Sequence, residues 1–276
     1  MKKDDGSTVT SDAPPISAPI RSKVKAFLID LDGVLYVGSH PIPGARECLE
    51  RMDDLGYGYR FVSNSTRRCR ASVAERLDGL GYAIPSRLIF TPPLAAIEQM
   101  KRQGKKSCYL LTTSDVRRDF QQAGISMVED GAECVVVGDA ANGFTFEKLN
   151  QALRLILDGA DLLALEMDRY WMQPEGLVLS AGPFVALLEY ATGKKAELMG
   201  KPSRQFFQMA LDDLGLKPSQ AAMIGDDIYT DVHGAQEMGM QGILVRTGKY
   251  REDWAKRSGV RPDMVCESLA SLVHCL

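Results

Sequence analysis

One strand and the four residues after it constrain this chain more than anything else in it. Residues 25–29 form an apolar run with a β-branched end, and Asp30-Leu31-Asp32-Gly33 follows directly. An apolar run of that length without alternation reads as a strand buried on both faces, the habit of parallel sheets covered by helices. Two carboxylates two residues apart on a strand point the same way, so Asp30 and Asp32 both face one small site. In open α/β sheets that site lies beyond the carboxyl ends of the strands. Carboxylates so close repel unless a proton or a cation lies between them, and a hard divalent ion with oxygen ligands is the natural occupant. An EF-hand loop is excluded, because that pattern needs a Glu six residues after the Gly and position 39 is Ser39. The plainer alternative is a strand-end turn in which the acids cap backbone amides.

With 276 residues the chain has room for one large domain or for a core carrying an inserted module. A net charge of −3 gives no electrostatic reason for nucleic acid or an anionic membrane as partner. No apolar stretch approaches the ~18–20 residues that span a bilayer. Residues 1–22 hold Lys, Asp, Ser, Thr and Pro without a signal-peptide core and read as a flexible leader. The six cysteines are scattered singly, mostly in apolar runs, so buried free thiols are expected and the cytoplasm is the default compartment.

Beyond the leader, strands and helices alternate, the signature of a parallel sheet covered on both faces. A helix opened by Pro43-Gly44 carries Cys48, Leu49, Met52 and Leu55 on one face and stops at Gly56. A strand over 59–63 and a helix over 68–80 come next. The pattern resumes with a helix over 203–214, a buried strand over 221–224, a helix over 231–238, a strand over 242–245, and a short strand with a terminal helix over 265–276. Between about 91 and 182 lies a second α/β series, with strands at 107–111, 134–137 and 162–165 and a helix over 146–158. Thr91-Pro92-Pro93 and Ala181-Gly182-Pro183 read as hinges at its two ends, so this block is either an inserted domain or a continuation of one sheet.

Three further segments supply what the Asp pair needs. Ser63-Asn64-Ser65-Thr66, at the end of the second strand, offers hydroxyls, an amide and backbone N–H groups suited to phosphate oxygens, although such a run is commonly just an N-cap. In Gly200-Lys201-Pro202-Ser203, Pro202 fits the first turn of a helix and Lys201 is placed to neutralise a phosphoryl dianion. In Gly225-Asp226-Asp227-Ile228-Tyr229-Thr230-Asp231, another buried strand ends in a glycine and three acids that reach the same sheet edge as Asp30 and Asp32. A site this acidic calls for a bound cation.

These four segments, in this order, resemble the haloacid dehalogenase superfamily, and the long block between the second and third resembles the C2-type cap of its subclass IIA phosphatases. The similarity runs from about residue 24 to the end and includes Gly182-Pro183-Phe184-Val185, Gly200-Lys201-Pro202 and Val245-Arg246-Thr247-Gly248-Lys249. It implies an α/β fold: a Rossmann-like parallel-sheet core from residues 23–91 and 183–276, with an inserted α/β cap at 92–182. It also implies a phosphatase acting on a phosphomonoester, phosphoamide or pyrophosphate through an aspartyl-phosphate. Asp30 is then the nucleophile and Asp32 the general acid and base. Mg²⁺ would sit on Asp30, the main-chain carbonyl of Asp32, and Asp226. Asp227 and Asp231 would hold the metal's waters or orient Lys201, while Ser63, the Asn64 backbone and Lys201 receive the phosphoryl oxygens. In the cap, Asp168-Arg169-Tyr170-Trp171 is the segment expected to grip a leaving group, with Arg169 as its cation; ordinary cap packing is the alternative. The partner implied is a small phosphorylated substrate, and homodimers through the cap are common in the subclass. A phosphomutase uses the same nucleophile, and a catalytically idle binding protein can share the fold. A response-regulator receiver would be about half this length and leaves the middle block unexplained.

Overall fold

The computed structural model describes residues 20–173 and 176–276. The expected leader therefore lies outside the described residues, except for its last three. Of these, Arg21 is tied to the core: its amide donates to Gln241 at 3.0 Å and its guanidinium pairs with Asp263.

Two parallel sheets organise the chain. The larger has the order Met264–Cys266, Gln241–Val245, Ala221–Gly225, Ala26–Asp30, Gly58–Val62, Ile89–Phe90, with every neighbouring pair parallel. Its central strand, Ala26–Asp30, is buried along its whole length. Alternation sends Phe27 and Ile29 to one face with Phe61, Ile224 and the helix Ala45–Asp54, and Leu28 to the other with Met223 and the helix Arg204–Leu214. Each such side chain contributes roughly 1.5–3 kcal/mol by leaving water, which is why this strand anchors the sheet.

The smaller sheet has the order Glu197–Leu198, Asp161–Ala164, Cys134–Val137, Ser107–Leu111, Ser126–Met127, again parallel throughout. The structure corrects the expected return to the core at residue 183. Helix Gly182–Thr192 lays Val185 and Leu188 against Leu155 and Ile156, and the chain leaves the smaller sheet only after Leu198. Both segments read as hinges are helix starts. Pro92-Pro93 opens the helix Pro92–Arg102 and Gly182-Pro183 opens the next, positions where a missing N–H costs nothing. Helix Pro92–Arg102 places Ala96 and Met100 in one apolar cluster with Val62 and Phe206 of the larger sheet's layers and Cys108, Val136 and Leu163 of the smaller sheet. The two layers thus share a packed core.

Smaller differences follow from local chemistry. Leu55 lies past the helix end and is exposed. The helix expected at 203 begins at Arg204, because Ser203 caps it by accepting from the Phe206 amide; Pro202 stands before the cap. The helix expected at 231–238 is a π-helical turn, Ile228–His233, running into Gly234–Met238, and the last segment is a 3₁₀ helix, Leu269–His274. All six cysteines are free, five of them buried. No helix among the described residues is long and apolar enough to cross a membrane.

Candidate active site

Ala26–Asp30 is flanked by Gly58–Val62 on one side and Ala221–Gly225 on the other, so the chain crosses over in opposite directions from it. The crevice at such a reversal, beyond the carboxyl ends, is where this class of sheet holds ligands. Three adjacent strand ends deliver Asp30, Ser63 and Asp226 there, one from each. A pocket of about 240 Å³ opens there, lined by Asp30, Asp32, Ser63, Asn64, Lys201 and Asp227 among others, while Asp226 is buried beside Asp30 and is not part of its lining.

Lys201 organises the floor. Its ammonium lies 2.9 Å from Asp30 Oδ1, 2.7 Å from Asp231 Oδ1 and 3.4 Å from the Val62 carbonyl, three oxygens for its three protons. Burial opposes the charge on this lysine, but Asp231 and Asp30 outweigh it and hold its pKa above the ordinary value. The main chain of Lys201 is fixed by Asn64. The Asn64 side chain accepts from the Lys201 amide at 2.8 Å and donates to the Lys201 carbonyl at 3.0 Å. Asn64 is therefore a positioning group for the lysine. Ser63, also buried, uses its hydroxyl to accept from the Ser65 amide at 3.2 Å.

Asp30, Asp226 and Asp231 each bring one carboxylate oxygen to within 4.8 Å of the others. Burial, then the other two carboxylates, push the pKa of Asp226 up; burial and Asp30 push Asp231 up against the pull of Lys201. One lysine does not balance three buried acids. An all-oxygen, electron-rich cluster of this kind fits a hard divalent cation such as Mg²⁺. Asp231 is already engaged, by Lys201 on one oxygen and by the Asp227 amide at 3.1 Å on the other, which leaves Asp30 and Asp226 as the freer donors. Asp226 is oriented from outside by the Lys249 amide at 2.6 Å. Gly33, at φ 83°, passes so close to the Asp226 carboxylate that any Cβ would collide with it.

Asp32 opens to the pocket, yet the walls desolvate it, and with Asp30 beside it the pKa rises above the usual carboxylate value; Lys249 and Arg76 pull the other way. Asp227 lines the same pocket but spends one oxygen capping the π-helical turn, accepting from the Tyr229 and Thr230 amides at 2.9 and 3.0 Å. Arg169 does not line the pocket. From that cap segment it is Asp168 that does, and the cations on the walls are Arg68, Arg76 and Lys249. Lys249 has a sequence signal, since it closes the run after a buried strand; Arg68, one of three arginines in Arg67-Arg68-Cys69-Arg70, and Arg76, within the helix Arg70–Gly79, have none.

Residues 27–126 match the haloacid dehalogenase-like hydrolase family and residues 198–272 a second, HAD-hydrolase-like family. The chain is 42% identical over 250 residues to human haloacid dehalogenase-like hydrolase domain-containing protein 2, covering 91% of this chain and 95% of that one. It is 38% identical over 259 residues to human phospholysine phosphohistidine inorganic pyrophosphate phosphatase, covering 92% and 94%. Among solved structures, the p-nitrophenyl phosphatase of Archaeoglobus fulgidus superposes with a TM-score of 0.86 at 30% identity, covering 92% of this chain and 99% of that one. The glycerol phosphate phosphatase of Mycobacterium tuberculosis, in complex with magnesium, does so with a TM-score of 0.81 at 26% identity, covering 93% and 78%.

Proposed function

The chain belongs to the haloacid dehalogenase-like hydrolases as a phosphoric monoester hydrolase, and we propose that it works on a small phosphorylated substrate through a covalent aspartyl-phosphate on Asp30. The observation that carries this reading is the buried Lys201 held 2.9 Å from Asp30 at the switch point of the sheet, with Asp226 and Asp231 alongside. In this reading an Asp30 oxygen forms the new bond to phosphorus while the bond to the leaving oxygen breaks. Asp32 donates its proton to that oxygen, a role suited to a carboxyl whose pKa is raised, and later takes a proton from the water that hydrolyses the acyl phosphate. General acid–base assistance of this kind contributes ~10²–10⁴-fold. Ser63 holds a phosphoryl oxygen, Lys201 sets its positive charge beside Asp30 against the phosphoryl group, and Asn64 keeps Lys201 in place. Mg²⁺, held by Asp30, Asp226 and the Asp32 carbonyl, would supply positive charge against the phosphoryl dianion.

The test is hydrolysis of p-nitrophenyl phosphate with Mg²⁺, with EDTA, and by the Asp30→Asn variant. Turnover that needs the metal and is lost in the variant is the expected result. Turnover surviving Asp30→Asn in a folded protein would sink the nucleophile assignment.

A further inference from the structure

The proposed chemistry leaves one large feature unused, a cavity of about 600 Å³ on the side of the smaller sheet. It shares Asn64, Ser65, Arg68 and Asp168 with the catalytic pocket, so a group leaving phosphorus can extend into it. Its far wall has a topological origin. Thr113, Asp139 and Glu166 each stand two residues past the end of a strand, Ser107–Leu111, Cys134–Val137 and Asp161–Ala164, which are neighbours in the smaller sheet. The smaller sheet thus turns its own carboxyl edge toward the gap, and ligands sit at that edge in open α/β sheets.

The charges on these walls are unequally matched. Asp139 has Arg67 at 3.9 Å, and Arg67 also lies 5.6 Å over the ring of Trp171. Asp168 acts on Lys249. Arg68 lines both cavities and is shared with the phosphoryl end. Glu166 differs from all of these. It is 6% exposed, and its hydrogen bonds come from neutral donors, the Ser180 hydroxyl at 2.7 Å and the Ala181 amide at 3.3 Å. The charged groups that act on it, Asp168 and Asp139, are both acids. Burial pushes its carboxyl up to about 7. A buried carboxylate without a cation is costly to the protein, and a ligand that brings the cation removes that cost.

We infer that Glu166 is the specificity residue of the cavity and selects a leaving group that carries an ammonium group, so that the substrate is a phosphate ester of an amino alcohol or amino sugar. The phosphoryl group lies at Asp30 and the ammonium at the carboxyl edge of the smaller sheet, with Trp171 as an apolar wall for the carbon chain between them. This inference rests on the phosphatase reading above.

The experiment compares ω-aminoalkyl phosphates of two to six carbons with ω-hydroxyalkyl phosphates of equal length, with Mg²⁺, in the native protein and in Glu166→Gln and Glu166→Asp. The expected result is a kcat/KM at least about tenfold higher for the amine at one chain length. The amine-to-hydroxyl ratio should fall to about one in Glu166→Gln and stay above one in Glu166→Asp, with the optimum moved to a longer chain. Equal turnover of amine and hydroxyl esters at every length overturns the inference while leaving the phosphatase standing, and so does a preference that Glu166→Gln does not change. If no ester, p-nitrophenyl phosphate included, is turned over, the phosphatase reading fails. Calorimetric titration of Asp30→Asn with the same esters and Mg²⁺ then decides: tighter amine binding supports the cation site, and equal binding overturns it.

Discussion

The two sheets meet edge to edge across one gap and treat buried charge in opposite ways. At the carboxyl end of the larger sheet, acids and a base are locked together: Asp30 and Asp231 share the Lys201 ammonium, and Asp226 stands beside them. At the carboxyl end of the smaller sheet, Glu166 is as buried as Asp30 and has only a hydroxyl and an amide for company. Removing one partner of a buried ion pair costs more than the pair contributes, whereas a lone buried acid destabilises the fold by being charged at all. The first edge is therefore built to be rigid, and the second to be completed from outside.

The sharpest way to break this contrast is Lys201→Met. With the lysine gone, Asp30 and Asp231 keep their burial and lose their counter-charge. We expect kcat to fall by at least ~10²–10³-fold and unfolding free energy at pH 8 to drop by about 3–5 kcal/mol, read from denaturant titration. A variant that keeps its stability would show that the larger sheet's edge does not depend on that pair.

The next effect concerns pH and metal. Asp226, with its pKa raised to about 8, binds its proton more tightly folded than unfolded. The stability this contributes is complete below the unfolded carboxylate value near 4 and is lost as pH rises through the folded one. Metal-free protein should therefore melt at progressively lower temperature as pH rises from about 4 to 8. Mg²⁺ should raise Tm, by about 2.7 kcal/mol of stabilisation at a hundredfold excess over Kd, and the gain should be larger at pH 8 than at pH 5.5. A Tm gain independent of pH would separate the metal from these carboxylates.

The smallest effect has the opposite sign to the first. In Glu166→Gln the uncompensated charge is gone, so stability at pH 8 should rise by ~1–3 kcal/mol over the native protein, with little difference at pH 4. Urea titrations at the two pH values measure it, and a destabilised variant at pH 8 would mean that a cation already serves Glu166.

The legibility of the two edges differs for the same reason. Asp30, Ser63, Asp226 and Lys201 follow buried apolar runs or a Gly-Lys-Pro turn, and the parallel-sheet rule brings strand ends to one place, so the structure gathers residues the sequence singles out. Glu166 also follows a strand, but the acids of Glu166-Met167-Asp168 come without the adjacent glycine that marks Asp30-Leu31-Asp32-Gly33 and Gly225-Asp226, and Arg169, expected to grip the leaving group, does not line the pocket. The backbone of Asn64 is what the sequence offers to a phosphate, whereas its side chain does the positioning; a contact across 137 positions has no local signature. The boundary expected at 183 lies elsewhere because Gly-Pro marks a helix start as readily as a break, and only the packing of Val185 and Leu188 decides which.

That same Asn64–Lys201 clasp has a temporal meaning. Synthesis runs from the amino end onward, so Asp30, Ser63 and the entire smaller sheet through Leu198 emerge before the lysine that balances Asp30. Until residue 201 arrives and is gripped, the larger sheet lacks both its counter-ion and the strand that bears Asp226. A nascent chain consequently cannot close the Asp30–Lys201–Asp231 contacts until residue 231 has been made.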